Sequence, residues 1–156
     1  MATMKVDAGT PGWQQRHVEL YRKTDGAEGH LVDFGRPGMN EVPCLLLQTT
    51  GRKSHTAQTT PLIYGKDGTG FVIIASKGGA PAHPAWYLNL SDNAEVRFQV
   101  GSKKYRGTAR VAKSPDRERL YAMMTKIFPP SRDYQEKTTR EIPVVILEPT
   151  EEIAGL

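Results

Sequence analysis

Residues Thr49–Leu90 read TTGRKSHTAQTTPLIYGKDGTGFVIIASKGGAPAHPAWYLNL. The stretch opens on a basic turn, Gly51-Arg52-Lys53-Ser54, set between two apolar runs. Val42–Thr50, apolar with a polar end, reads as one strand and Gln58–Tyr64 as the next. Gly65-Lys66-Asp67-Gly68-Thr69-Gly70 is a turn signal, and Phe71–Ser76, rich in Val and Ile, is a third strand, so these last two runs predict a hairpin. A second basic, glycine-rich turn, Ser76-Lys77-Gly78-Gly79-Ala80, leads into a short helix over His83–Asn93, with Pro84 suited to its first turn.

The flanking sequence extends this pattern. Ala94–Val100 and Lys104–Val111 alternate around Gly101-Ser102 and predict another hairpin. Ser114 is placed as an N-cap with Pro115 at the first helical position, and Leu120, Met123, Met124 and Ile127 give that helix its buried face. Pro129-Pro130 stops it, Ser131–Thr139 is a polar short helix or loop carrying Tyr134, and Ile142–Leu147 is a final strand ended by Pro149. Upstream, a helix from Thr10-Pro11 to Thr24 carries Trp13, His17, Leu20 and Tyr21 on one stripe. That helix either docks on the strands or, because Arg16, Arg22 and Lys23 flank its aromatics, lies on a membrane surface. Residues 1–10 read as a flexible N-terminus, 11–149 as a single domain and 150–156 as a C-terminal tail. Six or seven mostly antiparallel strands with helices packed outside make an α+β fold, best closed as a small or partly split barrel that protects its edges.

Composition narrows the function. The chain has 156 residues, 38% hydrophobic and 24% charged, with a net charge of +4 spread along its length, which argues against a nucleic-acid partner. The single cysteine, Cys44, sits in an apolar run, which excludes a disulfide framework and fits a reducing, cytoplasmic setting. No run reaches the roughly 20 apolar residues of a membrane span, and Met1–Gly12 lacks an apolar signal core. The histidines at 17, 30, 55 and 83 form no metal-ligand spacing, so no metal site is expected. Neither Ser54 nor Ser76 has a nucleophile-elbow setting. Any redox chemistry would therefore come from a bound cofactor.

The two basic loops say what such a ligand would look like. Gly51 permits a tight turn, Arg52 supplies a forked donor and Lys53 a point charge, a combination suited to phosphate or carboxylate. Gly78 and Gly79 allow the backbone to approach a ligand closely, and Trp86 and Tyr87 follow within one or two helical turns. The pattern suits a flat, anionic ligand, though each loop alone also reads as a solvated turn.

Over residues 12–149 the sequence resembles the deazaflavin (coenzyme F420)-dependent nitroreductase and quinone reductase family. The resemblance rests on Thr49-Thr50-Gly51-Arg52-Lys53-Ser54, Thr60-Pro61-Leu62, Ala75-Ser76-Lys77-Gly78-Gly79-Ala80 and His83-Pro84-Ala85-Trp86-Tyr87-Leu88-Asn89-Leu90, in that order. It implies a split β-barrel like those that bind flavin mononucleotide. By the same resemblance Arg52, Lys53 and Lys77 hold the anionic tail of an 8-hydroxy-5-deazaflavin. Ser76, Gly78, Gly79 and Ala80 contact its ring or phosphate, and Pro61, Leu62, Trp86 and Asn89 shape the pocket. Two departures stand out. Gln58, also placed at the cofactor, stands where many relatives carry an arginine; a lost charged hydrogen bond is worth roughly 10- to 100-fold in affinity. Phe128, Ser131 and Tyr134 occupy positions that are tyrosines in the nitroimidazole-reducing member, so only Tyr134 is retained for the substrate side.

The implied reaction is hydride transfer from the reduced cofactor to a quinone, nitro or activated-alkene acceptor, with Ser76, Tyr134 or water supplying a proton. The alternatives are a flavin-mononucleotide-dependent reductase or oxidase on the same barrel, and a non-catalytic cofactor-binding protein. The resemblance also leaves room for a homodimer and for peripheral contact with the inner face of the cell membrane, where a quinone would be met.

Overall fold

The computed structural model describes residues 2–7 and 9–156. Its centre is β3 (Val42–Thr50), which is buried through Cys44–Leu47. Leu45 and Leu47 point into the barrel with Phe98, Val145 and Leu147, while Leu46 points outward to Val18 and Tyr21. Both faces are covered, so the strand reads as a continuous apolar run instead of an alternation. Two further strands follow the same rule. In β6 (Gly70–Ile74), Phe71 and Ile73 face inward and Val72 faces out, and in β9 (Val144–Ile153), Val145 and Leu147 face inward and Val144 and Ile146 out. Their outer face packs on Leu120 and Met124 of α3 (Asp116–Ile127).

The sheet is a split barrel. One edge of β3 pairs with β4 (Ala57–Ile63) along residues 44–50. Its other edge is shared by β2 (Glu28–Asp33) at Val42 and Pro43 and by β7 (Glu95–Val100) at residues 46–48. From β7 the order runs through β8 (Lys103–Val111), β9 and β6 to β5 (Gly65–Asp67). All of these pairs are antiparallel. β4 approaches β6 but has no ladder with it, and the barrel is open between them.

Three expectations about the strands change. β4 and β6 do not form the predicted hairpin, because three residues inside the Gly65–Gly70 turn signal form β5, and it is β5 that pairs with β6. Gly65 passes under α3, where a Cβ would stand 2.9 Å from both Ile127 and Met123, so the glycine marks a close crossing as well as a turn. β9 continues past Pro149 to Ile153. A register shift opposite Arg106/Gly107 takes up the proline, the kind of irregularity that tolerates a missing N–H. Ala2–Lys5, within the stretch read as flexible, forms β1, a parallel edge strand on β2 held by backbone pairing with no apolar run to announce it. With β1 and β5 the described residues hold nine strands.

The helices lie outside. α1 (Trp13–Lys23) buries His17, Val18 and Tyr21, so its apolar face is used in packing on the barrel. Leu20, read as part of that face, is only half-buried, and Val18 takes its place. α2 (Ala85–Asp92) packs on β3, and α4 (Ser131–Tyr134) follows the Pro129-Pro130 break after α3. Ser114 does not cap a backbone N–H; its hydroxyl instead donates to the Glu118 carboxylate at 2.6 Å. No described helix is long and apolar enough to cross a membrane.

Tyr21 fastens α1 to the sheet. Its hydroxyl is wholly buried, accepts the Gly101 N–H at 2.8 Å and lies 3.0 and 3.3 Å from the carbonyls of Cys44 and Gln99. Tyr21→Phe leaves a buried N–H without its acceptor and should lower the unfolding free energy by about 1–3 kcal/mol in urea titrations. His17 beside it is buried and its Nε2 donates to the Gly29 carbonyl at 2.7 Å, which fixes the neutral tautomer with the lone pair on Nδ1. Burial holds its pKa below the usual 6.5. The unfolded chain therefore takes up the proton first, and stability is lost as pH falls below about 6.5. Urea midpoints at pH 7.5 and 5.5 should show a smaller acid loss in His17→Gln than in the wild type.

Candidate active site in the split of the barrel

The opening between β4 and β6 is a groove of about 500 Å3. That volume suits a small organic ligand or cofactor ring. One wall is Thr60–Ile63 of β4, and the facing wall is Ile74 of β6 with Ser76, Lys77 and Gly78. α1 contributes Trp13 and Gln14, the β2–β3 loop Phe34 and Arg36, and α2 Trp86. Phe128, Ser131 and Tyr134 come from the end of α3 and from α4. The strands, once the barrel is left open, thus bring together residues that are far apart in the chain.

The Ser76–Ala80 loop has an unusual backbone. Lys77, Gly78 and Gly79 are all left-handed, with φ of 47°, 65° and 84°. A glycine carries this without strain and a lysine does not. The two glycines differ in their surroundings. A Cβ on Gly78 would meet nothing within 4 Å, so this side of the loop is open to a ligand. A Cβ on Gly79 would come within 2.8 Å of the Tyr134 carbonyl, so this glycine lets α4 close against the loop.

Arg140 holds the loop from behind. Its guanidinium donates to the carbonyls of Ala80 at 2.9 Å, Ala75 at 3.1 Å and Ser76 at 2.7 Å. It also donates to His83 Nδ1 at 3.1 Å, so the His83 ring proton sits on Nε2. Burial first, and the neighbouring guanidinium second, lower the His83 pKa and keep this ring neutral. Among the described residues Arg140 has no carboxylate partner. Its charge is met by three main-chain oxygens and the neutral His83 ring.

The Gly51–Thr56 loop is closed on itself and tied to α2. Gly51 N–H donates to the Thr56 carbonyl at 2.8 Å, and His55 N–H returns to the Gly51 carbonyl at 2.8 Å. Asn89, 4% exposed, is the bolt. Its Oδ1 accepts the Arg52 N–H at 3.1 Å, and its Nδ2 donates to Thr49 Oγ1 and Gln58 Oε1, both at 3.1 Å. Trp86 stands three residues earlier on α2, on the same face, and lines the groove. One short helix therefore carries both the groove wall and the anchor of the basic loop.

Of the residues read from sequence, Pro61, Leu62, Ser76, Lys77, Gly78, Trp86, Phe128, Ser131 and Tyr134 line the groove. Arg52, Lys53, Gln58, Gly79, Ala80 and Asn89 do not. Arg52 and Lys53 are exposed on their loop, whereas Gln58 and Asn89 direct their amides at the protein's own loop. Burial raises the Tyr134 pKa, with the Arg36 charge opposing it, so the phenol keeps its proton at neutral pH. Sequence reading missed Arg140, because its partners lie 57 to 65 residues away and nothing local marks it. It also missed Trp13, Phe34 and Arg36; an aromatic and an arginine inside the glycine- and proline-rich Phe34–Gly38 turn were the available sign.

Removing Arg140 tests the clamp. Arg140→Gln should lower the unfolding free energy by about 1–3 kcal/mol and speed hydrogen exchange of the 76–80 amides. Arg140→Lys should recover little of that protection, because an ammonium cannot reach several carbonyls at once in a planar fork. Unchanged exchange in Arg140→Gln would show that the loop holds its shape without the clamp.

Residues 13–149 match the model of the F420H(2)-dependent quinone reductase family. An F420H(2)-dependent quinone reductase of Mycobacterium tuberculosis is 40% identical over 147 residues, covering 86% of this chain and 95% of its own. Among solved structures, an F420-H2 dependent reductase is 39% identical with a TM-score of 0.64, covering 68% of this chain and 94% of that one. Another, described as a domain-swapped dimer, is 35% identical with a TM-score of 0.65, covering 86% and 94%. With this groove in the split of the barrel and a match spanning nearly its whole length, the chain belongs to the F420H(2)-dependent quinone reductase family.

Proposed function

We propose that the protein transfers a hydride from reduced coenzyme F420 to a quinone, and that nitro compounds and activated alkenes serve as further acceptors. The observation that carries this reading is the groove itself. Its walls are mainly apolar, Lys77 and the open side of Gly78 border it, and no carboxylate is among its lining residues. A flat ring with an anionic tail fits that lining. The cofactor, when bound, supplies the hydride; the chain's residues bind, orient and protonate.

In this reading Pro61, Leu62 and Trp86 pack on the ring, and Lys77 meets an anionic group of the cofactor. Arg52 and Lys53 receive the rest of the tail outside the groove, where their exposed side chains are free to turn towards it. Asn89 and Gln58 act one step back, by holding the Arg52 backbone. Phe128, Ser131 and Tyr134 face the acceptor, and Tyr134, protonated and half-buried, is the proton donor, with Ser76 in reach of the same space. The reaction runs in the cytoplasm, in keeping with the single buried thiol of Cys44.

Both tryptophans of the chain, Trp13 and Trp86, line the groove, so intrinsic fluorescence reports on its filling. Titration should give micromolar or tighter binding of coenzyme F420 and much weaker binding of flavin mononucleotide, and the loaded protein should oxidise the reduced cofactor when menadione is added. Lys77→Ala should raise the cofactor dissociation constant about 10- to 100-fold, the loss of one charged contact, with little change in melting temperature. Preference for flavin mononucleotide, or tight binding with no turnover on any acceptor, would sink the proposed reaction.

A further inference from the structure

We infer that Arg36 selects acceptors that carry, or develop on reduction, a negative charge on a ring oxygen. The inference rests on the proposed reaction and names the acceptor class of that same groove.

The β2–β3 loop is folded so as to present this side chain. Gly35 N–H donates to Asp33 Oδ1 at 2.8 Å, Phe34 N–H to the Met39 carbonyl at 3.0 Å, and Met39 N–H to the Arg36 carbonyl at 3.0 Å. The Phe34 ring meets the Phe128 ring edge-on, with centroids 5.2 Å apart at 61°, which ties the loop to the end of α3. Arg36 thereby lines the same groove as Phe128, Ser131 and Tyr134, the acceptor-facing residues of the proposed reading.

Charge gives the loop its meaning. The groove lining contains two cationic side chains, Arg36 and Lys77, and no Asp or Glu. They arrive from different elements, Lys77 on the loop after β6 and Arg36 on the loop after β2. Among the described residues the Arg36 side chain has neither an ion pair nor a hydrogen bond. Its field nevertheless reaches the acceptor side, since it is the main influence opposing the burial that raises the Tyr134 pKa. With Lys77 committed to the cofactor, Arg36 is the cation left for the acceptor.

The reaction needs such a charge. A quinone becomes a hydroquinone by gaining one hydride, which brings both electrons and leaves the donor oxidised, and one proton. Between the two, one ring oxygen is an oxyanion. A guanidinium near that oxygen is worth more as the charge grows than before it exists. Tyr134 or water then delivers the proton, so atoms and charge balance. An acceptor already ionised on a ring hydroxyl gains the same contact on binding.

The test compares menadione with lawsone, the hydroxylated naphthoquinone that is an anion at neutral pH. Protein loaded with oxidised coenzyme F420 is titrated with each, so no turnover is needed and the result is separable from whether the proposed reaction occurs. Wild type should prefer lawsone. Arg36→Gln should weaken lawsone about 10- to 100-fold and change menadione by less than about twofold, and Arg36→Lys should keep most of the preference. In turnover with menadione, Arg36→Gln should lower kcat with little change in KM, because the charge appears only during reduction. No lawsone preference in the wild type, equal weakening of both quinones in Arg36→Gln, or weakened coenzyme F420 binding in its place would overturn the inference. Failure of the wild type to reduce menadione, with its lawsone preference intact, would count against the proposed reaction alone.

Discussion

β4 pairs along its length with β3 and makes no ladder with β6, and the site depends on this. An eight- or nine-stranded sheet that closed completely would fill its interior with side chains. Here the sheet curls far enough to bury Phe71, Phe98, Leu45 and Leu47 in one core, then stops. The two strands facing the gap present a wall each. The core that stabilises the protein and the groove that gives it a function are neighbours, and Trp86 belongs to both.

Short, strongly bonded connections give that opening its shape. Asn89 is buried and Arg140 half-buried, and each is supplied with partners. For Asn89 these are the Arg52 N–H, Thr49 and Gln58; for Arg140 they are three carbonyls and the lone pair of His83. A polar group at least half-buried, with its bonds satisfied, fixes geometry more narrowly than apolar contact does. The two basic loops therefore have set positions, one anchored through α2 and the other through the segment that precedes β9.

Much of this was legible in the sequence, for reasons that can be named. β3 announced itself as a continuous apolar run, β7 and β8 by alternation around Gly101-Ser102 and α1 by its helical stripe, and the Gly78-Gly79 pair announced a turn. Nine of the residues singled out by resemblance to a known family line the groove. What stayed hidden was decided by partners distant in the chain. β5 looks like turn residues because its pairing with β6 is made by backbone atoms, and β1 is an edge strand whose ladder carries no apolar signature. Asn89 read as a pocket residue because sequence shows the helix face but not that its amide is already bonded behind the loop. Arg140 lies in a polar stretch with no local pattern at all.

The clamp made by Arg140 touches only main-chain oxygens of the loop it supports. Its grip is indifferent to which side chains stand at 75, 76 and 80. The loop's curve and the chemistry displayed along it are therefore separable inheritances: substitution can alter what the groove recognises while leaving its contour intact. A protein built this way can drift between ligands without first having to refold around each of them.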